Sequence, residues 1–503
     1  MSFKKLLLAS AISSVLIAGC SNDDNDGTPQ TSGGGGGGGG QEECVLENNI
    51  LSGTITCDAT LKEGETYFLR GVVNIGKGQK QLNSAADVQA AKDNGVTLTI
   101  EKGVNILADQ DGVLIVTRGS KINAVGTAAQ PISFSSQKDD DFDGLGEWGG
   151  IVIQGFAPHN AAGSDNLCSK DGAICNVKGE GGDAVAFFGG TDAADNSGEL
   201  KYVRMAEGGK VAGPGNEING LTLQGVGYGT QLSYIQVHGN LDDGIEWFGG
   251  RANAKYVVLT NNDDDDIDFD EGYQGHIQHA LIIKHQTKAS PDGSNDPRGI
   301  EANSSDDESA KSTSAILSNV TIIGSDMTKD RPADGASCDT DGTPGCNEQP
   351  GMRLRGDVTV DLYNSVVANY GICVRIDNGQ DDMTTVDFTN VVTGGCDSEH
   401  KYKANGIKND GKNAVPAPTP VNFVESTSAI TFDTALAATA TEAMLSDDVT
   451  VSSLAGRTEF TFDVTDYEGA VDPDTNNADR NWWAGWTFPN TVVIDSDLQA
   501  QQP

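Results

Sequence analysis

The chain has 503 residues, with 73 Asp and Glu against 33 Lys and Arg, for a formal net charge of −40. A surface this acidic excludes nucleic acid as a partner, because a phosphate backbone is held by basic faces. It favours divalent cations or a salty medium, which screen dense like charge.

Residues 1–20 have the form of a lipoprotein signal peptide. Lys4 and Lys5 open it, Leu6 to Ile17 form an apolar run too short for an ordinary membrane span, and it ends in LIAGC. That ending resembles a bacterial lipobox, which makes Cys20 the expected site of lipidation. Ser21 at the next position is compatible with sorting to the outer membrane. Residues 21–43 are polar and carry an unbroken glycine run from Gly33 to Gly40, the composition of a flexible tether. Residues 44–503 are the expected folded domain.

Eight further cysteines follow Cys20 as near neighbours: Cys44 and Cys57, Cys168 and Cys175, Cys338 and Cys346, Cys373 and Cys396. An even count behind an export signal argues for disulfides. None of the spacings resembles a zinc site. Sequence does not prove the connectivity, and Cys373 sits inside a strand-like run.

Strand-like runs begin at Ile50 and continue through TYFLRGVVNI, VTLTIEKGVNILA, GVLIVTRGSKINAVG and WGGIVIQG. A stretch of helical composition, Asn83 to Asn94, interrupts them. From Leu200 a pattern recurs: an apolar residue, then Tyr, His or Asn two places on, then alternating apolar residues. It reads LKYVRM, LSYIQV, AKYVVL, IQHALI, LSNVTI, LYNSVV and FTNVVT. Leu232 to Gly272 falls on itself after a slide of 22 residues, so that Tyr234 meets Tyr256, Asp243 meets Asp265 and Trp247 meets Phe269. A period of this size, with period-2 apolar alternation, marks a solenoid of stacked β-coils. The expected fold is all-β: a single parallel β-helix, its coils about 4.8 Å apart, with loops inserted where the spacing lengthens. Asn319, Asn364 and Asn390 share a coil position and are expected to stack as a ladder. Val424 to Ser453 is Ala/Thr/Ser-rich and poorly patterned. Three of the five tryptophans (Trp482, Trp483 and Trp486) close the chain, and a plug over the last coil is their expected role, because a solenoid needs its ends covered.

Three acidic groups stand out. Asp139, Asp141 and Asp143, with Gly144 and Glu147 beyond, begin like a calcium loop, but Gly150 stands where an EF-hand needs its last carboxylate. Asp242, Asp243 and Glu246 recur one period later as Asp264, Asp265, Asp266 and Asp268, and Gly299-Ile300-Glu301 repeats Gly244-Ile245-Glu246. If register holds, Glu246, Asp268 and Glu301 project from successive coils along one outer edge. Carboxylates so placed repel unless protonated or bridged by metal, so a divalent cation is the simpler expectation, with a salt-screened outer face as the alternative. Asp306 to Glu308 and Asp339 to Asp341 form a third, weaker group in loops.

Over nearly its whole mature length the chain resembles a group of β-helix lipoproteins of Gram-negative bacteria. The matching phrases are Gly146-Glu147-Trp148-Gly149-Gly150, Asn216 to Leu223, the Asp242-Asp243 coil with Phe248-Gly249-Gly250, and the Asp264 to Asp268 coil. The resemblance implies a right-handed parallel β-helix displayed at the cell surface, often beside a TonB-dependent transporter, and no established reaction. A looser resemblance is to pectate-lyase-like and polygalacturonase enzymes. Asn240-Leu241-Asp242 and Asp264-Asp265 imitate two polygalacturonase motifs, but Gly275-His276 reverses the third and Arg375-Ile376-Asp377 lacks the lysine of the fourth. A lyase of this kind would need calcium on carboxylates and a basic side chain near them; Arg298, Arg353, Arg355 and Arg375 are candidates. His238, His276, His279 and His285 are equally suited to coil stacking or acid–base work. The leading expectation is a calcium-binding lipoprotein that acts as a binding or docking component for glycan or nutrient uptake. A calcium-dependent polysaccharide lyase or hydrolase, and a structural or adhesive surface protein, are the alternatives.

Overall fold

The computed structural model describes residues 43–138, 141–160, 174–181, 185–211, 218–284, 297–304, 312–325, 350–378, 384–396, 398–404, 421–425, 459–472 and 479–492. Residues Glu42–Pro503 form one compact unit. Twenty-four strands join in one continuous parallel sheet that winds on itself as a single right-handed β-helix.

Each full coil passes through three faces. In one coil the strand Gln231–His238 supplies the first two faces, and Ile245–Phe248 supplies the third. The bend between the first two faces falls on the Tyr/His/Asn of the recurrent pattern. Tyr202, Tyr234, Tyr256, His279, Asn319, Asn364 and Asn390 all have φ between 45° and 59°. The parallel pairing runs through Ser233↔Lys255 and resumes at Ile235↔Val257, so Tyr234 is the corner. A left-handed backbone costs a non-glycine residue about 1–2 kcal/mol, and stacking along the column offsets it. The rings of Tyr202 and Tyr234 lie 4.3 Å apart, Tyr234 and Tyr256 4.6 Å, and Tyr256 and His279 4.7 Å. Asn tolerates this conformation best, and Asn390 Nδ2 donates to Asn364 Oδ1 at 3.0 Å.

Alternation sends every second side chain inward. On the third face Ile245, Trp247, Ile267, Phe269, Ile300 and Ala302 enter a single interior core shared with Val203, Ile235, Val257 and Val320. The intervening Glu246, Asp268 and Glu301 therefore point outward. The helical stretch is the helix Ala85–Asp93, opened by Ser84, whose hydroxyl accepts from the amide of Asp87 at 3.1 Å. Cys44–Cys57 and Cys373–Cys396 are disulfides with Cα separations of 5.5 and 5.6 Å. Cys175 is also disulfide-bonded; Cys168, Cys338 and Cys346 lie outside the described residues, as do Cys20, residues 1–42 and most of Val424 to Ser453.

The Trp-rich segment is not an end plug. Residues 459–472 and 479–492 lie along the flank of the helix as a strap. Asn319 donates to the carbonyls of Tyr467 and Gly469, and Arg204 donates to those of Trp486 and Thr487. Trp483 and Trp486 are buried against Val258, Leu281, Ile283, Ile323 and Val366, which are the outward residues of the second face. That explains why AKYVVLT and QHALII lose their alternation: these strands are buried on both sides.

Candidate functional site

The site lies on the outer side of the third face. In-register pairing aligns Thr222, Glu246, Asp268, Glu301, Arg353, Arg375 and Lys401 in one column. Strands about 4.8 Å apart thus carry three carboxylates in succession and then three basic residues. The turns that precede the strands add Asp242 and Asp243 on one coil and Asp264 and Asp265 on the next. The repeat of Asp-Asp ahead of Ile-Glu and Ile-Asp is what superimposes them.

Three groups of carboxylates offer oxygens within 4.8 Å of one another: Asp242, Asp243 and Asp264; Asp243, Glu246 and Asp268; Asp265, Asp268 and Glu301. Asp243 and Asp268 each belong to two groups, so the cluster is continuous. It is not a solvated outer edge. Asp243, Glu246, Asp265 and Glu301 are only 6, 7, 2 and 7 % exposed, and Asp242, Asp264 and Asp268 are partly buried, so most of the cluster is withdrawn from solvent.

Burial and crowding oppose the ionised form of these carboxylates when no cation is bound. Burial, then repulsion from neighbouring acids, pushes Asp243, Glu246 and Asp268 well above the usual carboxylate range. Asp265 is raised too, by burial against the opposing pull of Arg298. Glu301 behaves oppositely. Burial alone would raise it, but Arg298, Arg355 and Arg353 together hold it below the normal value. Arg298 Nη1 lies 3.2 Å from Glu301 and 3.3 Å from Asp265, Arg355 Nε 2.9 Å from Glu301, and Arg353 3.5 Å from it. The Glu301 end of the cluster is therefore neutralised by guanidinium groups.

Polar neighbours fix the geometry. Asn219 donates to Glu246 at 2.5 Å, and the amide of Asp265 donates to Asp243 Oδ1 at 2.9 Å. Asp265 Oδ1 and Asp268 Oδ1 are buried with no hydrogen-bond partner, as expected of oxygens oriented to a cation. An all-oxygen, carboxylate-rich donor set suits a hard divalent ion such as Ca²⁺ or Mg²⁺. The residues present fit one.

Other expected residues lie outside these groups. Asp266 belongs to none of these groups: it pairs with Lys284 at 3.0 Å and accepts from Asn262 at 2.7 Å, so its role is structural. Asp141 and Asp143 are exposed and join no carboxylate group among the described residues, and Asp139 lies outside them. Among the histidines, His238 bonds Thr260 at 2.7 Å, His276 bonds Asn253 at 2.8 Å, and His279 stacks on Tyr256; His285 is outside the described residues. Sequence reasoning missed Lys284 and Asn219. It left Arg298, Arg353 and Arg355 unplaced. Only the equivalence of Glu301 with Asp268 could have signalled that the arginines beside Glu301 reach the cluster.

The family model for a pectate-lyase-like β-helix domain matches residues 53–487. No curated protein matches the chain. Among solved structures, an alginate lyase from Paenibacillus sp. str. FPU-7 is similar at 12% identity, covering 67% of this chain and 98% of that one with a TM-score of 0.14, an overlap too slight to carry an argument. From residue 53 to residue 487 the chain belongs to the pectate-lyase-like β-helix family.

Proposed function

We propose that this protein is a calcium-binding β-helix lipoprotein that serves as a binding or docking component in glycan or nutrient uptake at the outer membrane. The observation that carries the cation is the run of carboxylates sharing Asp243 and Asp268, with oxygens within 4.8 Å. An ion bridging several coils would cancel their repulsion and fix the stacking of the third face. The lipobox-like LIAGC ending at Cys20 supports the membrane anchor. The family resemblance supports a TonB-dependent transporter as partner, and the family's name directs the ligand search to polysaccharides.

Arg298 and Arg355, two of the four arginine candidates for a lyase base, are committed to carboxylates in the structure. A lyase needs a base to take a proton, whereas Arg355 is raised above its ordinary value: burial lowers it, and Glu301 and Asp268 outweigh that. Arg298 is shifted the same way against its own burial, by Asp265 and Glu301. Both hold their protons more tightly than a free arginine.

The test is calorimetric titration of Ca²⁺ and Mg²⁺ into the metal-stripped full-length protein, with co-purification from outer membranes in parallel. Saturable Ca²⁺ binding and recovery of a transporter are expected. Absence of binding at millimolar Ca²⁺ would remove the cation, and absence of a transporter would remove the docking role. The appearance of unsaturated uronate ends from an acidic glycan with calcium would make the lyase reading correct instead.

A further inference from the structure

Among the described residues, the second face is covered by the strap over the middle coils and uncovered over the early ones. Beside Phe488 a groove of about 450 Å³ opens, walled by Phe488 and Phe142 and floored by Asn105, Ser133 and Ser135. The volume lies within the roughly 300–1,000 Å³ that small-ligand sites occupy. The floor is the register continuation of the column under the strap: Thr66, Asn105, Ser133, Arg204 and Gln236 are successive partners. Below Gln236 the column turns apolar, with Val258 and Leu281, and is roofed by tryptophan. Above it the column is hydroxyl- and amide-bearing and open.

Arg204 sits at the junction. Its Nε donates to Ser133 Oγ at 2.8 Å, and its Nη1 donates to the carbonyls of Trp486 and Thr487. Its guanidinium lies 4.4 Å from the Phe488 ring centroid, and Phe142 packs on Phe488 at 4.3 Å. Burial lowers Arg204 to about 10, so it stays a cation at neutral pH. No carboxylate pairs with it among the described residues, in a chain of net charge −40. Of the acids beside the groove, Glu207 is fully buried and accepts from the amides of Ser136 and Gly144, while Asp141 and Asp143, on either side of Phe142, are exposed to solvent. A half-buried cation with its Nη2 uncommitted, next to aromatic rings and a hydroxyl floor, presents the donors and apolar faces that an acidic sugar requires.

We propose that this groove binds an acidic sugar residue, its anionic group on Arg204, its ring against Phe142 and Phe488, and its hydroxyls on Asn105, Ser133 and Ser135. The site deepens the glycan-binding reading but does not use the carboxylate cluster, so the two fail separately. The test is calorimetry on the full-length protein with a galacturonate oligosaccharide, a sulfated galactose oligosaccharide and a neutral galactose oligosaccharide of equal length. EDTA is present throughout, so that cation-bridged binding at the cluster is silent. At least one acidic ligand is expected to bind tenfold or more tighter than the neutral one, and the tighter of the two identifies the anion as carboxylate or sulfate ester. Arg204→Gln and Asn105→Asp should each weaken it at least tenfold. Asn105 is exposed, so N105D keeps the fold intact even if loss of Arg204 loosens the strap. Equal binding of acidic and neutral ligands, no binding of either acid, or N105D binding as tightly as wild type would overturn the assignment.

Discussion

Asp268 is the residue whose neutralisation separates a cation site from a merely buried acidic patch. It belongs to two of the three carboxylate groups. Without an ion, its ionised form is opposed first by burial and then by Glu301 and Asp270, with Arg355 pulling the other way. Asp268→Asn should therefore leave the calcium-free protein as stable as wild type, or slightly more so. With calcium the sign reverses. An ion bound only by the folded state adds about 2.7 kcal/mol at a hundredfold excess over Kd. Unfolding entropy near 2.1 cal/mol/K per residue over the roughly 320 described residues makes 1 kcal/mol about 1.5 °C in Tm, so wild type should gain about 4 °C. The variant should lose most of that gain. Differential scanning calorimetry of both proteins, in EDTA and in excess calcium, reads all four values. If D268N kept the full calcium shift, or melted well below wild type in EDTA, the reasoning would fail: the first result removes Asp268 from the site, and the second makes its charge stabilising.

The strap should be held chiefly by its indoles: Trp486→Ala empties a fully buried site, should cost about 3–5 kcal/mol, and should show as new protease cleavage after residue 459 before the coils unfold. The corner stack predicts an order of tolerance, since Tyr256 has φ 59°: Tyr256→Asn should melt above Tyr256→Val, because a β-branched residue is strained there. Glu468 on the strap is raised by burial to about 7. Its contribution is complete below its unfolded value and is lost as pH rises through about 7, so Glu468→Gln should stabilise the protein at pH 8 by at most about 3 kcal/mol and leave it unchanged near pH 4. Equal effects at both pH values would contradict that origin.

Much of the architecture was readable in one dimension because a solenoid repeats its local rules. The 22-residue self-match around Tyr234 and Tyr256 encodes coil length, and the alternation of Ile245, Trp247, Ile267 and Phe269 encodes the inward face. Once the coil length is known, the column Glu246–Asp268–Glu301 follows, since parallel register stacks equivalent residues. The Tyr/His/Asn position was visible as a pattern, and its physical cause, a left-handed corner in each coil, emerged from the backbone. The unbroken apolar runs at Val257–Leu259 and Ala280–Ile283 did carry a trace of the strap, since a strand with one wet face would alternate there.

What did not follow from the sequence are contacts made across loops of irregular length. Whether the acids face brine or lie buried depends on what covers them, and Asn219, Arg298 and Arg355 reach the cluster from coils whose spacing is broken by insertions. The Trp-rich segment could cap an end or line a flank with the same residues; its place is set by the apolar column of Val258, Leu281 and Val366, assembled only when the coils stack. The same stacking leaves Arg204 at the margin of the strap, bonded to its carbonyls and lining the groove beside it. Local periodicity specifies a coil, but the free energy of burying or pairing a charge depends on neighbours that the fold alone brings within a few ångströms.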